Sequence, residues 1–351
     1  MKFAVAVVAT TIATLAWAQD PKPAEQVYKN ITHFKGTPAD QILPAMQFMA
    51  SALNVQCDFC HVGGKPEADD KPAKKTARDM IAMTMNINKT SFNGRLQVTC
   101  FTCHHGLEHP AGVPPVTESD GMLRPPAPAA TGAPTPADEV LAKYTTALGG
   151  ADALRKVTTR VMKGALSVGG SQTPIEVIAK APNRRVSISH TANGDSYTAF
   201  DGTVGWLGNT GRPAREMSAA ESAAAGLDAE FHLALRFKEI FPQVRANRAE
   251  TIDGVPCNVL TATAPGRPPV RFYFAKESGL LVRLVRYAET PIGRNPTQVD
   301  YADYRDVGGA KVPFRWSISR PSGRFTIQIA EAQANVTIDE GRFARPAGEV
   351  R

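Results

Sequence analysis

The chain predicts two domains of different class: a short, mainly α module, then an antiparallel β-rich domain with helices to cover one face. Three observations predict this. Residues 37–106 hold one pattern twice, a methionine-bearing helix followed by a turn and Cys-x-x-Cys-His. Residues 110–136 contain Pro110, Pro114, Pro115, Pro125, Pro126, Pro128, Pro134 and Pro136 among Ala, Gly and Thr. Such a composition builds no core and favours stiff, extended chain. From Thr158 onwards apolar and polar residues alternate with period two, the signature of half-buried strands. With 351 residues, 43% hydrophobic and 21% charged, the chain has room for two ordinary cores.

Taken in order, residues 1–18 read as a signal peptide. Lys2 supplies the positive start, Phe3 to Leu15 the apolar run, and Ala16-Trp17-Ala18 a small-x-small cleavage site before Gln19. The expectation is an exported, periplasmic protein. The apolar run is shorter than the ~20 residues that cross a bilayer with ease. No cysteine stands near the cleavage site to take a lipid anchor, and no other stretch reads as a transmembrane helix.

The first domain is expected over residues 19–109. Gln19 to Lys35 reads as polar and extended. Thr37-Pro38-Ala39-Asp40 reads as a helix start, with Thr37 as N-cap and Pro38 at the first helical position. Ile42, Met46, Met49 and Leu53 then mark one helical face, and Asn54 suits a left-handed stop. Val62 to Lys75 reads as a polar loop. A second helix is expected over Thr76–Lys89, with Ala77, Met80, Ile81, Met83, Thr84 and Ile87 on a broad apolar face. Asn93-Gly94 turns the chain towards Cys100.

The second domain is expected over residues 137–351. A helix over Glu139–Leu148 closes at Gly149-Gly150. About ten short strands follow, separated by Asn193-Gly194, Asp201-Gly202, Asp253-Gly254 and Gly308-Gly309. One helix, Ser218–Ile240, interrupts them. Of the formal net charge of +7, +6 lies in residues 126–351 and +1 on Lys2: residues 19–125 carry 11 basic and 11 acidic residues. The basic residues are isolated along strands, which indicates a solvated face and not nucleic-acid binding.

Cys57-Asp58-Phe59-Cys60-His61 and Cys100-Phe101-Thr102-Cys103-His104 carry the chemistry. Cys-x-x-Cys-His is the attachment signature of c-type haem. The two-residue spacer lets both thiols reach the haem vinyl groups as thioethers, and the adjacent histidine then lies beneath the iron. Cys57, Cys60, Cys100 and Cys103 are therefore the expected attachment points of two covalently bound haems c, and His61 and His104 the proximal iron ligands. Chance predicts about 10⁻³ such motifs in a chain of this composition, against two present. A Cys₄ zinc site fits poorly, because 39 residues separate the pairs against about 15–20 in common ribbons. A thiol-redox motif calls for one pair in a βαβ setting.

Methionine is the common distal ligand in electron carriers, and its thioether raises the potential. Met46 and Met49 compete for the first haem; Met80, Met83 and Met85 compete for the second. Periodicity does not choose among them. The stretch Met46 to Cys57, and the stretch Ala77 to Asn88 followed by Val98 to Gly106, resemble two repeats of the tetrahaem cytochrome subunit of photosynthetic reaction centres. That resemblance covers residues 27–106. It implies Met46 with His61 on one iron and Met80 with His104 on the other. Two of the family's four haem motifs are absent, and residues 91–99 lack the histidine that the family places there for a fourth haem.

Residues 137–346 resemble the periplasmic LolA/LolB-like half-barrel proteins in pattern and order. The resemblance implies an antiparallel β half-barrel with covering helices, able to enclose an apolar ligand. Cys257, His190 and His232 read as structural residues, and no residue reads as catalytic.

The reading is a periplasmic dihaem electron-transfer protein and not an enzyme. Its partners would be redox proteins, with membrane-bound electron-transfer complexes among the candidates. Two alternatives belong to other classes: a dihaem peroxidase, which needs an open distal site, and an apolar-ligand or lipid-binding protein with an appended cytochrome module.

Overall fold

The computed structural model describes residues 22–110, 133–320 and 323–345. The expected signal peptide and most of the proline-rich linker lie outside these residues.

The first region is helical. It runs α1 (Ala24–Val27), a 3-10 turn (Ala39–Gln41), α2 (Ile42–Leu53), α3 (Cys57–Cys60), α4 (Pro72–Ser91) and α5 (Cys100–His104). Asn54 ends α2 in the expected left-handed conformation, at φ 56°. The expected Thr37 cap does not form. Residues 22–24 pair with 37–39 instead, through Ala24 N–H to Thr37 O (2.7 Å) and Ala39 N–H to Lys22 O (2.9 Å). That pairing leaves Pro38 extended, at φ −52° and ψ 131°. The second helix begins at Pro72, four residues before the expected Thr76. Proline suits the first turn because the N–H it lacks has no helical partner there, and buried Lys74 holds that turn against the preceding loop.

Helix packing in this region is crosswise: α2 lies against α5, and α3 against α4. At the first of these joints Gly106 N–H donates to Ala52 O at 2.9 Å. The helix of one repeat thus supports the cysteine turn of the other.

The second region opens with α6 (Ala137–Ala147) and α7 (Ala151–Lys156). Strands β1 (Thr159–Val168), β2 (Ser171–Lys180), β3 (Arg184–Thr191), β4 (Gly194–Phe200), β5 (Gly205–Asn209) and β6 (Arg215–Glu216) follow. Then come α8 (Ala219–Ala229), α9 (Leu233–Ile240), β7 (Gln243–Ile252), β8 (Val255–Thr263), β9 (Val270–Ala275), β10 (Leu281–Thr290), β11 (Gly293–Val307), β12 (Ala310–Arg320) and β13 (Gly323–Ala334). All thirteen strands form one antiparallel sheet, ordered β6-β5-β4-β3-β2-β1-β13-β12-β11-β10-β9-β8-β7. The first and last strands of the domain meet at its centre, where β1 pairs with β13.

The two strands that the sequence pattern does not reveal, β6 and β7, are the two edges. β7 carries Arg245, Arg248 and Glu250, and charge of this kind protects an edge strand from pairing with another chain. The expected single helix Ser218–Ile240 is two helices. Ser218 and Glu221 form a reciprocal capping box that starts α8. The chain breaks at Glu230, and Phe231 N–H bonds Pro182 O at 2.9 Å. The core lies between this helical layer and one face of the sheet. Val140, Leu141 and Tyr144 of α6, Leu148 at its C-cap and Phe237 of α9 pack there on Phe272, Phe274, Leu284 and Ile329.

The two regions touch. Ile292, at the tip of the β10–β11 hairpin, is fully buried in the small helical core with Ala24, Phe34, Ile42, Ala45 and Ile81. A Cβ on Gly293 would come within 2.7 Å of the Phe48 ring. Asn295 Nδ2 donates to Gln47 Oε1 at 3.2 Å.

Candidate haem-binding site

Each cysteine motif folds as one helical turn, which sets both thiols and the histidine on a short rigid element. His61 N–H bonds Cys57 O at 3.0 Å to close the first turn. In the second, Thr99 and Thr102 form a reciprocal cap at the entry to Cys100.

The histidines share a further property. His61 Nδ1 lies 2.9 Å from Pro66 O, and His104 Nδ1 lies 2.9 Å from Leu107 O. A carbonyl oxygen can only accept, so Nδ1 is the donor in both rings. The lone pair is then on Nε2, the tautomer that an iron ligand requires, and the second hydrogen bond fixes the ring plane.

The thiols are not disulfide-bonded. Burial raises the Cys60 and Cys100 thiols above their ordinary pKa; Lys71 opposes the shift at Cys60 only weakly. A disulfide oxidoreductase needs the reverse, a thiol pKa held low. Among the described residues no three or more His, Cys, Asp and Glu side chains gather at metal-ligand spacing. The two cysteine pairs are therefore not one tetrathiolate set.

The methionines separate by position. Met46, Met49 and Met85 are half-buried against the helical core, whereas Met80 and Met83 are exposed at 38% and 44%. On α4 the buried side chains Lys74, Ile81, Thr84 and Asn88 mark the inward face. At 100° per residue Met83 points nearly opposite that face, Met85 borders it on the core side, and Met80 borders it on the other side. Packing does not separate Met46 from Met49.

Two residues that sequence periodicity passes over shape the site. Asn88 Oδ1 accepts from Gln97 N–H and Val98 N–H, both at 2.9 Å, and its Nδ2 donates to Val98 O at 2.6 Å. The loop before Cys100 is thereby clamped to α4. Asn88 follows Ile81 and Thr84 at helical spacing, a signal that would have placed it inward. Lys74 donates to Pro66 O (2.9 Å) and Ala68 O (2.8 Å) and pairs with Asp69 at 3.1 Å. Asp69 also takes Arg78 at 3.0 Å and Asn30 at 2.9 Å. These partners, led by Arg78, hold its carboxyl far below the usual range. Nothing in the pattern of α4 marks a lysine as buried.

The residues fit haem c. Each turn offers two unpaired thiols and one imidazole with Nε2 available. The region between Val27 and Leu107 also exposes Leu43, Met80, Met83, Leu96 and Phe101 while burying few large side chains of its own. A module with so little core suits a large apolar group held by covalent bonds.

His105, in a left-handed conformation and stacked edge-on to Phe101, is exposed. Cys257 is fully buried among Val259 and Tyr273 and is a packing residue. His232 bonds Val157 O at 2.9 Å, and exposed His190 pairs with Asp195 at 2.8 Å.

Residues 3–138 match the family model described as the photosynthetic reaction centre cytochrome C subunit, a span that contains both cysteine motifs. Among solved structures, the chain is similar to a DUF1329 family protein from Desulfovibrio piger, with a TM-score of 0.43 and 12% identity over 60% of this chain and 97% of that one. It is similar also to a LolA superfamily protein from Nitrosomonas europaea, with a TM-score of 0.43 and 13% identity over 60% of this chain and 98% of that one. Among the described residues no helix is long and apolar enough to cross a membrane.

Proposed function

We propose that the chain is an exported dihaem c-type cytochrome that carries electrons and catalyses no reaction of its own. The observation that carries this reading is the pair of Cys-x-x-Cys-His turns, each with its histidine Nδ1 committed to a backbone carbonyl. Cys57 and Cys60 would hold one haem through thioethers, and Cys100 and Cys103 the other. His61 and Met46 would supply the iron ligands of the first, and His104 and Met80 those of the second. Haem c bound there would supply an iron that takes up and releases one electron.

The chain's own residues do the rest. Pro66 O and Leu107 O keep the imidazole rings in the ligating tautomer. Asn88 and Lys74 hold the loops on which those turns sit. A methionine on each iron would leave no open site for peroxide, which is why a carrier is favoured over a peroxidase. The crosswise packing of α2 on α5 and α3 on α4 joins both turns in one small body, as transfer between two centres requires.

A spectroscopic redox titration of the exported protein, with a pyridine haemochrome assay, tests this. Two haems per chain and two one-electron steps with methionine-type ligation are expected. Fewer than two covalent haems, or rapid peroxide turnover, overturns the reading.

A further inference from the structure

The β-rich region contains a cavity of about 200 Å³ between its helices and the sheet. Its walls are mostly apolar and aromatic, with Tyr144, Tyr301, Tyr304 and Trp316 among them, yet two arginines, Lys311, His232 and two acids also line it. Arg160 comes from β1 and Arg185 from β3; Asp228 comes from α8, and Glu230 follows it.

The charges do not cancel. Asp228 is engaged by Arg286 through both oxygens, at 2.5 and 2.8 Å. Both Glu230 oxygens are taken by Arg236, at 2.8 and 3.0 Å. Arg185 donates to the backbone oxygen of Asp228 at 2.8 Å and lies over the Trp316 ring. Arg160 has no hydrogen-bonding or ion-pair partner among the described residues. Its Nε is buried and unsatisfied, and its guanidinium lies over the Phe231 ring at 4.6 Å. Burial first, and the neighbouring Arg185 second, lower its pKa to about 10. A half-buried guanidinium whose buried Nε has no partner, close to a second guanidinium, is a costly arrangement in the absence of an anion.

We propose that this cavity binds a small organic anion, one carboxylate-sized group on an apolar body of about one ring, with Arg160 and Arg185 holding the charge. Size sets the body: a cavity of roughly 150 Å³ takes benzene, so about 200 Å³ accommodates a ring and its carboxylate but no long acyl chain. Guanidinium geometry sets the head, because its planar fork matches a carboxylate. The aromatic walls suit a flat or cyclic body. This site is independent of the two cysteine motifs.

The test is isothermal titration calorimetry of the whole, haem-loaded protein with benzoate, its neutral counterpart benzamide, and palmitate. Saturable 1:1 binding of benzoate is expected, with benzamide at least tenfold weaker. Arg160→Met is expected to weaken benzoate at least tenfold while leaving the unliganded melting temperature unchanged or raised, because it removes an unpaired half-buried charge. Equal affinity for benzamide, unaltered benzoate affinity in Arg160→Met, or no heat with millimolar benzoate overturns the proposal. Palmitate binding tenfold tighter than benzoate overturns it in favour of an acyl site. Should Arg160→Met fail to fold, the benzoate–benzamide comparison on the unmodified chain decides alone.

Discussion

In the first repeat, the carbonyl that takes the His61 Nδ1 proton is Pro66 O, and the Lys74 ammonium donates to the same oxygen at 2.9 Å. In the second repeat, Leu107 O serves His104, and no cation reaches it among the described residues. The supports differ as well. The first repeat leans on the sheet, through Ile292 under α2 and Gln47 bonded to Asn295. The second is held from within, by Asn88. Two turns with the same ligating groups are thus set in different surroundings, and surroundings tune a metal whose direct ligands are unchanged. If both turns hold haem as proposed, the two centres should differ in potential and in stability.

The largest expected effect comes from removing the distal ligands. Met46→Ala and Met80→Ala should each convert one haem to high spin and lower its potential on the order of 0.1 V, a fraction of the ~0.8 V that axial ligands span. Each variant should alter one centre and spare the other, which assigns the two potentials to the two repeats. Visible spectra and a redox titration read this. If Met46→Ala keeps methionine ligation at the first haem, Met49 is the ligand there.

Next in size are the two supports. Asn88→Ala leaves the Gln97 and Val98 N–H groups without their acceptor and should cost about 2 kcal/mol, the usual penalty for partly buried groups that lose a partner. Asn88→Asp keeps both acceptances and should lose less. Ile292→Ala removes a fully buried side chain and should cost about 3 kcal/mol. Thermal unfolding followed at each haem band separates them. Asn88→Ala should release the second centre first, and Ile292→Ala the first centre. Equal loss at both centres in both variants would show that the repeats unfold as one unit, and the contrast in their supports would have no energetic meaning.

These supports also mark where sequence reading stops. Local chemistry was legible: the paired cysteines and histidines, the left-handed Asn54, the Asp253-Gly254 and Gly308-Gly309 turns, and the central strands, whose alternation reflects one covered face. What depends on distant partners was not. Ile292 reads as an ordinary hairpin residue until α2 is placed over it. Lys74 is polar, and only the tertiary structure buries it, whereas Asn88 sits at helical spacing from Ile81 and Thr84 and only its amide disguises that inward position. The edge strands are hard to see for local reasons: β6 is two residues long, and the alternation of β7 rests on Val244 and Ala246 and is broken by a bulge between Asn247 and Glu250. Thr37 has the composition of a helix cap but is drawn into pairing with residues 22–24, a long-range competitor that the local pattern does not contain. The unpaired Arg160 is invisible for the same reason: its want of a partner is a property of the cavity, not of β1.

The smallest effect probes the inequivalence most directly. A hydrogen bond from Nδ1–H to a carbonyl makes the imidazole a stronger donor and favours the oxidised iron. A second donor on that carbonyl weakens the bond. Lys74 also leaves a net positive charge beside His61, since Asp69 must answer both Lys74 and Arg78. Both effects favour the reduced state, so the first centre should lie higher than the same ligands alone would set it. Lys74→Met removes both, and the potential of the first haem should fall by a few tens of millivolts, less than the 59 mV of a tenfold one-electron change. The second should stay fixed. The Asp69 carboxyl, held below its ordinary pKa, gives the sign of the pH dependence. Its contribution to stability is fully present above the unfolded carboxylate pKa and is gone once pH has fallen through the lowered folded value, while in the folded protein the carboxylate keeps its charge through the usual carboxylate range. The first potential should therefore hold steady from neutral pH down through the usual carboxylate range and shift only under stronger acid. An equal fall of both potentials in Lys74→Met would place the lysine's influence in the general field of the module and not in the Pro66 carbonyl it shares with His61.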